Sequence, residues 1–528
     1  MKHTVRCAAL LLAAALLLSV GALASGLRFP DVPDTYWCAG SVNTMAAGGL
    51  IGGYEDGTFR PTDSMSVGAF LTIAARCAGT DYGADSTGYW CGGTVRAALG
   101  ADWLPENYRT QAVTSAVYSR PITRETAIYI LMKGLRPADK ALGYTAADIP
   151  DFTSISADAR DTILAAYNAG VTKGSGSDGS FAPQALLNRG QAAEILFRAG
   201  YTAAAKPAAG NCEVHYIDVG QADAILIRCG IHSMLIDGGN AEDSSLIVAY
   251  LKKYNITYLD DVVCTHAHED HVGGLSGALN QAMAGAVYAP VASCDSAAFR
   301  SFLKYTAAQG LAVTRPTAGS TFSLGGAQLQ VIAPQRTDYT EVNDTSIVLR
   351  MTYGSTSFLF TGDAGTESEK DMLASGLPLQ STVLKVGHHG SDSATSYAFL
   401  RAVAPQDAVI SVGTGNTYGH PTEAVLSRLR DAGVTLYRTD LQGTIIASSD
   451  GSAVTFTTEK NASAQTNPTA VNGSGQNSQE IACIGNVNSH VFHRPTCSSL
   501  PLEKNQILFS SRQAAVEAGY TPCGVCNP

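Results

Sequence analysis

The spacing of apolar residues changes at about residue 210 of the chain. Before this point, alanine-rich segments with helical periodicity are separated by glycine and aspartate turns. After it, short segments with strand-like apolar residues, such as 214–217 and 233–236, alternate with helical segments such as 244–253. Two halves with this alternation predict an α/β domain, a four-layer αββα sandwich in which helices cover the outer faces of two packed sheets.

The first third of the chain contains an internal repeat. Residues 36–42 recur as 89–95, and the loop Gly-Gly-Tyr-Glu-Asp-Gly-Thr-Phe-Arg-Pro at 52–61 is echoed at 173–183. A helical segment precedes each glycine loop, and another follows its proline. The pattern predicts a helix–loop–helix unit that is used three times and packed as one α-helical domain.

The amino terminus and two polar segments predict the domain boundaries. Lys2 and Arg6 precede an apolar run, and the small residues Ala22-Leu23-Ala24 follow it, so we predict a secretory signal peptide, with a retained membrane anchor as the alternative. An exported chain would be secreted and would carry no membrane span after cleavage. The predicted segments are a signal peptide at 1–24, helical repeats at 25–201, a linker at 202–210, an α/β domain at 211–460, a disordered linker at 461–480 and a small module at 481–528.

Charge and cysteine content narrow the possible functions. The net charge of -10 argues against broad, charge-driven binding of nucleic acid, although a metal centre can still hold a phosphate locally. In an exported protein, twelve cysteines are candidates for disulfides, metal ligands or free thiols. If 212–217 and 224–229 pair as an antiparallel hairpin, Cys212 and Cys229 lie opposite each other. Both a cross-strand disulfide and two buried thiols fit that pattern.

The segment 265–271 (Thr-His-Ala-His-Glu-Asp-His) places three histidines and two carboxylates directly after an apolar strand. Converging imidazoles and carboxylates suit one or two divalent transition metals, whereas the alternative is a His-rich surface loop. Polar groups also lie beside four later predicted strands, where active sites of α/β proteins form. These groups are Asn343, Asp344 and Ser346 before one strand, and Asp363, the pair His388 and His389, and His420 after the others.

Together these motifs resemble the metallo-β-lactamase fold, and in particular the soluble hydrolase domain of the ComEC competence proteins, over about 213–447. The resemblance implies two divalent metals, zinc or manganese, with Asp363 bridging them. Sequence does not decide between His388 and His389 as a ligand, and we expect the first to bind metal and the second to contact substrate or support the site. The implied ligands are His266, His268 and His388 for one metal, and Asp270 and His271 for the other.

The resemblance further implies an exported, metal-dependent hydrolase, a phosphodiesterase or nuclease that uses a metal-activated water. Asp270, His389 and His420 are the expected catalytic residues, and the expected substrate is a phosphodiester such as DNA. One alternative is hydrolysis of a lactone, thioester or lactam, because the fold hosts all of these reactions. Another is a wall-bound binding protein with a degenerate site.

Two further observations concern the expected metal ligands. No histidine lies between His271 and His388, so a third histidine motif of many relatives is missing, and Asn343, Asp344 and Ser346 are the candidates to replace it. Asp218 and Asp237 are expected to hold loop geometry rather than to bind metal.

The flanking segments resemble two further families. Phe-Pro-Asp-Val at 29–32 and Ile-Thr-Arg-Glu at 122–125 resemble S-layer homology repeats, which implies binding of an anionic secondary cell-wall polysaccharide through Arg124 and Arg189. The first repeat has Val67 in place of this arginine. The alternative to polysaccharide binding is that the repeats form a helical spacer whose arginines are solvated.

Near the carboxyl terminus, a His-X3-Cys and a Cys-X2-Cys pair have the spacing of a tetrahedral structural zinc site. In so small a module the metal would supply much of the folding free energy. The module resembles the zinc-binding domain of the Ada repair protein, with a histidine in place of one cysteine, and disulfides are the alternative. The predicted ligands are His493, Cys497, Cys523 and Cys526.

Overall fold

The structure is a computed structural model that describes residues 29–174, 178–204, 211–468, 483–494, 497–509, 512–526 and 528. The predicted signal peptide at 1–24 and most of both predicted linkers lie outside these residues. In the described part, no helix combines the length and the apolar character that a bilayer span requires. The chain divides into two compact units, Met1–Ala209 and Gly210–Pro528, which are described separately below.

The amino-terminal unit is helical in its described part. A π-helical turn, Leu131–Leu135, extends its sixth helix, and short 3-10 turns occupy Ala146–Asp148 and Phe152–Ser154. The α-helices are α1 (Ala39–Ala47), α2 (Val67–Ala78), α3 (Gly92–Gly100), α4 (Glu106–Arg109), α5 (Ser115–Tyr118), α6 (Arg124–Ile130), α7 (Arg160–Asn168) and α8 (Arg189–Arg198).

Three helices of this unit begin in the same way. The side chains of Ser66, Thr123 and Asn188 each accept a hydrogen bond from the backbone N–H three residues further on, which satisfies one of the unpaired donors at a helix start. Isolated bridges pair Ser66 with Pro121 and Thr123 with Leu186, so these starts lie side by side. The three sequence repeats therefore pack around a shared centre.

An aspartate near the start of the first and third repeats binds the backbone of a glycine loop. Asp31 accepts hydrogen bonds from the backbone of Phe59 at 2.8 Å and of Arg60 at 2.6 Å. In the third repeat, Asp151 accepts from Phe181 and the following residue, both at 2.7 Å. The recurring Pro-Asp motif thus fastens the beginning of the first and third repeats to their own loops.

The carboxy-terminal unit contains two large sheets and one small sheet. Its strands are β1 (Cys212–Tyr216), β2 (Ile225–Cys229), β3 (His232–Ile236), β4 (Tyr258–Val263), β5 (Met283–Tyr288), β6 (Val313–Thr314), β7 (Thr321–Leu324), β8 (Ala327–Ala333), β9 (Val348–Tyr353), β10 (Thr356–Phe360), β11 (Val383–Lys385), β12 (Asp407–Ile410), β13 (Thr435–Arg438), β14 (Ile445–Ser449), β15 (Val454–Thr458), β16 (Cys483–Asn486), β17 (Val491–His493), β18 (Gln506–Phe509) and β19 (Thr521–Pro522).

The sheets have different strand orders. The first sheet runs β15-β14-β1-β2-β3-β4-β5-β6, and the second runs β13-β12-β11-β10-β9-β8-β7. The third, with order β18-β16-β17-β19, belongs to the terminal module. The accompanying helices are α9 (Ser244–Lys253), α10 (Glu269–Val272), α11 (Leu275–Gln281), α12 (Ala297–Ala308), α13 (Thr366–Ala374), α14 (Tyr397–Val403), α15 (Glu423–Asp431), α16 (Thr439–Gln442) and α17 (Arg512–Glu517).

Alternation along the strands produces the four layers. On β2, Ile225 and Ile227 enter the core between the two large sheets, whereas Leu226 faces the opposite way and packs with Ile247 of α9. On β10, Leu359 likewise joins the core beneath α13, α14 and α15. Each sheet is therefore buried on both faces, and the predicted αββα sandwich is confirmed.

The α/β fold continues beyond residue 460, where the polar composition of the sequence predicted the beginning of a disordered linker. Thr466 donates a hydrogen bond to Leu436 O at 2.6 Å, and Asn467 donates to Leu426 O at 3.1 Å. These contacts fasten the chain to β13 and α15 as far as Pro468. A polar composition did not reveal them because the partners are backbone carbonyls elsewhere in the fold.

The hairpin of β1 and β2 has the predicted register, and a disulfide joins Cys212 to Cys229 across it. The bond closes a loop with a sequence separation of 17 residues. Replacing both cysteines with alanine should therefore lower the free energy of unfolding by about 3 kcal/mol, as expected for a loop of this length. Urea unfolding with and without reductant measures this. Reductant should weaken the wild type and leave the double variant unchanged, and equal stability of both proteins would contradict the prediction.

Candidate metal centre

The motif residues meet where parallel strands end. Strands β3 and β4 are parallel neighbours in one sheet, and β10, β11 and β12 are parallel neighbours in the other. Their carboxyl ends open at the same edge of the sandwich, so the loops that follow them converge. The residues delivered there are Asp237 after β3, the segment 265–271 after β4, Asp363 after β10, His388 and His389 after β11, and His420 after β12.

One carboxylate oxygen lies at the centre of the cluster. Oδ2 of Asp363 is 3.3 Å from Nε2 of His271 and 3.7 Å from Nε2 of His389. The same oxygen is 3.7 Å from Nε2 of His388 and 4.0 Å from Nε2 of His266. Four imidazoles from two loops thus approach a single buried carboxylate on a third loop.

The remaining residues of the His-rich segment border an open cleft of about 360 Å³. Nδ1 of His268 lies 3.1 Å from Nε2 of His266. Oδ2 of Asp270 lies 3.3 Å from Nε2 of His389. His420 also lines the cleft, with its ring centroid 5.7 Å from that of His388. All of the predicted residues of this centre are therefore brought together.

Unsatisfied polar atoms show that this cluster suits a cation. Nε2 of His271, Nε2 of His389 and Oδ1 of Asp363 are buried and make no hydrogen bond within the described structure. Buried polar atoms normally have a partner, and these three point towards a common space. Together with Asp270 they offer ligand atoms that all lie within 4.8 Å of one another. Nitrogen and carboxylate donors at this spacing fit a divalent transition metal.

The other nitrogens of the two buried imidazoles are held from behind. Nδ1 of His271 is 2.8 Å from Oδ2 of Asp237, and Nδ1 of His389 is 3.0 Å from the carbonyl of Ser411. Such contacts orient metal-binding histidines and fix their tautomers. Asp237 also accepts two 2.7 Å hydrogen bonds from Thr265, so it supports the loop, in agreement with the role expected for it.

The site carries an excess of negative charge. Burial opposes protonation of His389, but the carboxylates of Asp363 and Asp223 outweigh this effect and raise the pKa of the imidazole to about 10. Burial likewise opposes protonation of His271, yet Asp363 and Asp237 raise its pKa well above the ordinary value. Carboxylates that draw protons onto buried imidazoles in this way would equally stabilise a bound cation.

The paired histidines have an unusual backbone. His388 and His389 have φ angles of 49° and 52°, the left-handed region that side chains other than glycine rarely occupy. Each such residue costs about 1–3 kcal/mol and persists only where surrounding contacts hold it. Gly390 follows with φ 86°, and a Cβ there would lie 2.6 Å from Pro421. This turn directs two successive imidazoles towards Asp363.

The three residues predicted to replace the missing third histidine occupy different positions in the structure. Nδ2 of Asn343 lies 3.3 Å from Nε2 of His388 and borders the cleft. Asp344 accepts hydrogen bonds from backbone N–H groups at the start of α13, and Ser346 lies beneath His266. Asn343 is therefore the one whose side chain reaches the cleft.

A buried ion pair that the sequence motifs did not predict lies behind the centre. Nζ of Lys385 is 2.8 Å from Oδ2 of Asp223, and both side chains are almost completely buried. The other oxygen of Asp223 is 3.5 Å from Nδ1 of His389. A lysine within the apolar run Val-Leu-Lys-Val was the available signal, because a buried lysine requires a partner.

Breaking this pair should be costly. Lys385→Met would leave Asp223 charged and unpaired, and we expect it to lower the free energy of unfolding by about 3–5 kcal/mol. The double variant Lys385→Met/Asp223→Asn should recover much of this loss, because neither partner then remains as a buried charge. Urea denaturation of the single and double variants measures both effects. A single variant as stable as the wild type would contradict the assigned role.

The two arginines of the helical unit are held by the glycine loops. Nη2 of Arg124 donates to Thr172 Oγ1 at 2.9 Å and to Gly174 O at 3.3 Å. Nε of Arg189 donates to Phe59 O at 2.8 Å, and its Nη2 donates to Gly52 O at 2.8 Å. Burial lowers the pKa of both guanidinium groups. These arginines are thus parts of loop pockets rather than freely solvated surface charges.

The four predicted zinc ligands of the terminal module also meet. His493, Cys497, Cys523 and Cys526 have ligand atoms within 4.8 Å of one another, and none of the three cysteines is disulfide-bonded. The backbone N–H of Val525 donates to Cys523 Sγ at 3.4 Å, an interaction that favours the thiolate required for metal binding. The group fits a tetrahedral zinc ion.

Comparisons with known families agree with this geometry. The metallo-β-lactamase superfamily model matches residues 217–414, the S-layer homology domain matches 28–66 and 148–193, and the metal-binding domain of Ada matches 469–528. The chain therefore contains a metallo-β-lactamase domain between S-layer homology repeats and an Ada-type metal-binding domain. S-layer homology domains indicate attachment at the cell surface.

The central domain has relatives that include a competence protein. The chain is 30% identical over 251 residues to ComE operon protein 3 of Bacillus subtilis, an alignment that covers 44% of this chain and 32% of the relative. It is 34% identical over 230 residues to competence protein ComA of Neisseria gonorrhoeae, covering 43% and 31%. The chain thus spans about a third of the length of these relatives. The solved structure of the metallo-β-lactamase fold protein YhfI from Bacillus subtilis has 13% identity and a TM-score of 0.31, covering 43% of this chain and 95% of YhfI.

Proposed function

We propose that the central domain is a metal-dependent phosphodiesterase that acts on nucleic acids or nucleotides. The observation that carries this proposal is the approach of four imidazoles to one oxygen of Asp363 at the floor of an open cleft. The similarity to competence proteins favours DNA as the substrate over a lactone, thioester or lactam.

The positions of the imidazoles support an assignment of ligands. We assign Asp363 as the bridging ligand, and we add His389 to the second metal because its Nε2 approaches both Asp270 and Asp363. His388 completes the first site, and Asn343 lies beside it, with Nδ2 3.3 Å from Nε2 of His388. The proposed ligands are His266, His268 and His388 for one metal, and Asp270, His271 and His389 for the other.

The protein groups around the cleft have separate roles. Bound metals would supply Lewis-acid chemistry for attack of water on phosphorus. Asp270, whose side chain is one-third exposed, orients the attacking water and accepts its proton. His420 also lines the cleft, where its imidazole can contact a phosphate oxygen.

His268→Ala and Asp363→Ala should each lower the hydrolysis of bis-p-nitrophenyl phosphate by at least about 100-fold, because loss of a ligand exceeds the effect of losing a residue that orients one. Both variants should also bind less metal by elemental analysis while the circular dichroism spectrum stays that of the folded protein. Lys304→Ala, an exposed substitution on α12, is the matched control and should retain full activity. Wild-type turnover in either ligand variant would reject the assignment.

We further propose that the amino-terminal unit holds the exported enzyme on an anionic cell-wall polysaccharide. The arginines in the loop pockets are the supporting observation, since a guanidinium offers a planar fork to a carboxylate or phosphate.

Arg124→Ala and Arg189→Ala should each weaken sedimentation of the protein with purified cell walls by about tenfold or more, the loss expected for a charge-assisted hydrogen bond. Arg120→Ala, an exposed substitution in the same unit, is the control. Unchanged wall binding of the Arg124/Arg189 double variant would exclude this mode of attachment.

A further inference from the structure

Tyr418 is exposed beside the metal centre. Its exposed fraction is 71%, the largest among the large apolar side chains of the described residues. It lines the same cleft as Asp270, Asp363 and the paired histidines. An exposed aromatic ring contributes nothing to the core, so its position at the cleft requires a different explanation.

The loop around Tyr418 is fastened. Asn416 accepts a hydrogen bond from the backbone of His420 at 3.1 Å and donates to the carbonyl of the same residue at 2.7 Å. It also donates to Gly413 O at 3.0 Å. The ring of Tyr418 stacks against that of His420, with centroids 5.8 Å apart and planes 24° apart. The ring is therefore held in place with most of its surface open.

Tyr418 lies next to a residue of the metal centre rather than at the centre itself. His420 neighbours both Tyr418 and His388, with centroid separations of 5.8 Å and 5.7 Å respectively. A phosphate that His420 contacts at the metal centre would thus have its adjoining nucleoside near Tyr418. Stacking on a ring suits any base, because every base has a π-face.

Charge explains why such a contact would matter here. The described residues that line the cleft include three carboxylates, those of Glu269, Asp270 and Asp363, and no lysine or arginine. Neutralisation of backbone phosphates supplies most of the affinity of ordinary nucleic-acid-binding surfaces, and this cleft cannot provide it away from the metals. Stacking, worth about 1–3 kcal/mol per base, is the contribution that remains available.

We propose that Tyr418 stacks on an unpaired nucleobase next to the scissile phosphodiester, so that the enzyme selects single-stranded or short nucleotide substrates. This inference rests on the proposed phosphodiesterase activity and names its substrate class. A base in a duplex is already paired and stacked on its neighbours, and it reaches the ring only after being freed from the helix.

The test uses the full-length, metal-loaded protein and three substrates that share one phosphodiester. These are the dinucleotide thymidylyl-thymidine and its two analogues that lack the base on either the 5′ or the 3′ side. The readout is the ratio of kcat/KM for the complete dinucleotide to that for each analogue. We expect a ratio of roughly ten or more for one of the two, which corresponds to the lower half of the stacking range.

Variants then assign the preference to the ring. Tyr418→Ala should bring that ratio close to one, whereas Tyr418→Phe and Tyr418→Trp should preserve it because they keep a ring. Leu373→Ala, which shortens an exposed apolar side chain on α13, is the matched control and should also preserve it. A ratio cancels any general loss of activity that follows from disturbing the neighbouring His420.

The possible outcomes separate the two proposals. Equal cleavage of all three substrates by the wild type would overturn the stacking role while leaving the phosphodiesterase activity intact. A preference that survives in Tyr418→Ala would overturn it as well. Failure to cleave any phosphodiester, together with turnover of a lactone or lactam, would overturn the proposed function and with it the inference.

Discussion

The central domain is organised by the need to neutralise one buried carboxylate. Asp363 is almost fully buried, and four imidazoles from two other loops surround one of its oxygens. Such a group is tolerated in a low-dielectric interior only with compensating positive charge. The sandwich supplies the geometry because the loops after β4, β10 and β11 converge at one edge. The strained turn at His388 and His389 supplies the two imidazoles that neighbouring strands alone could not deliver.

Support for this arrangement extends outward in layers. Asp237 and the carbonyl of Ser411 hold the rear nitrogens of His271 and His389. Behind them, Asp223 is kept charged by Lys385, the oppositely charged partner inside the second sheet. Removing a member of an outer layer would therefore disturb an imidazole orientation that the inner layer depends on. The centre is a property of the packed sandwich as a whole, and not of the His-rich segment alone.

In the flanking modules, too, neighbouring groups hold the candidate binding side chains in position. In the helical unit, backbone carbonyls of the glycine loops hold Arg124 and Arg189 in place. In the terminal module, backbone N–H groups stabilise sulfur atoms that lie next to His493. Each site thus consists of a charged or metal-binding side chain whose position is set by main-chain groups. The chain thus combines repeats that indicate surface attachment with a candidate metal centre.

The sequence by itself determined the fold class, the three kinds of module and nearly every side chain of the centre. Alternating strands and helices, the 265–271 segment and the polar groups at strand ends are local patterns, and local patterns can be read from order and spacing. The same holds for Cys212 and Cys229, whose register follows from the short hairpin. Only the tertiary structure decided that His389 reaches Asp270, that Asn343 alone among its neighbours reaches the cleft, and that Lys385 pairs with Asp223. These outcomes depend on where residues distant in sequence meet, and on a left-handed backbone at two histidines, which composition and periodicity do not encode.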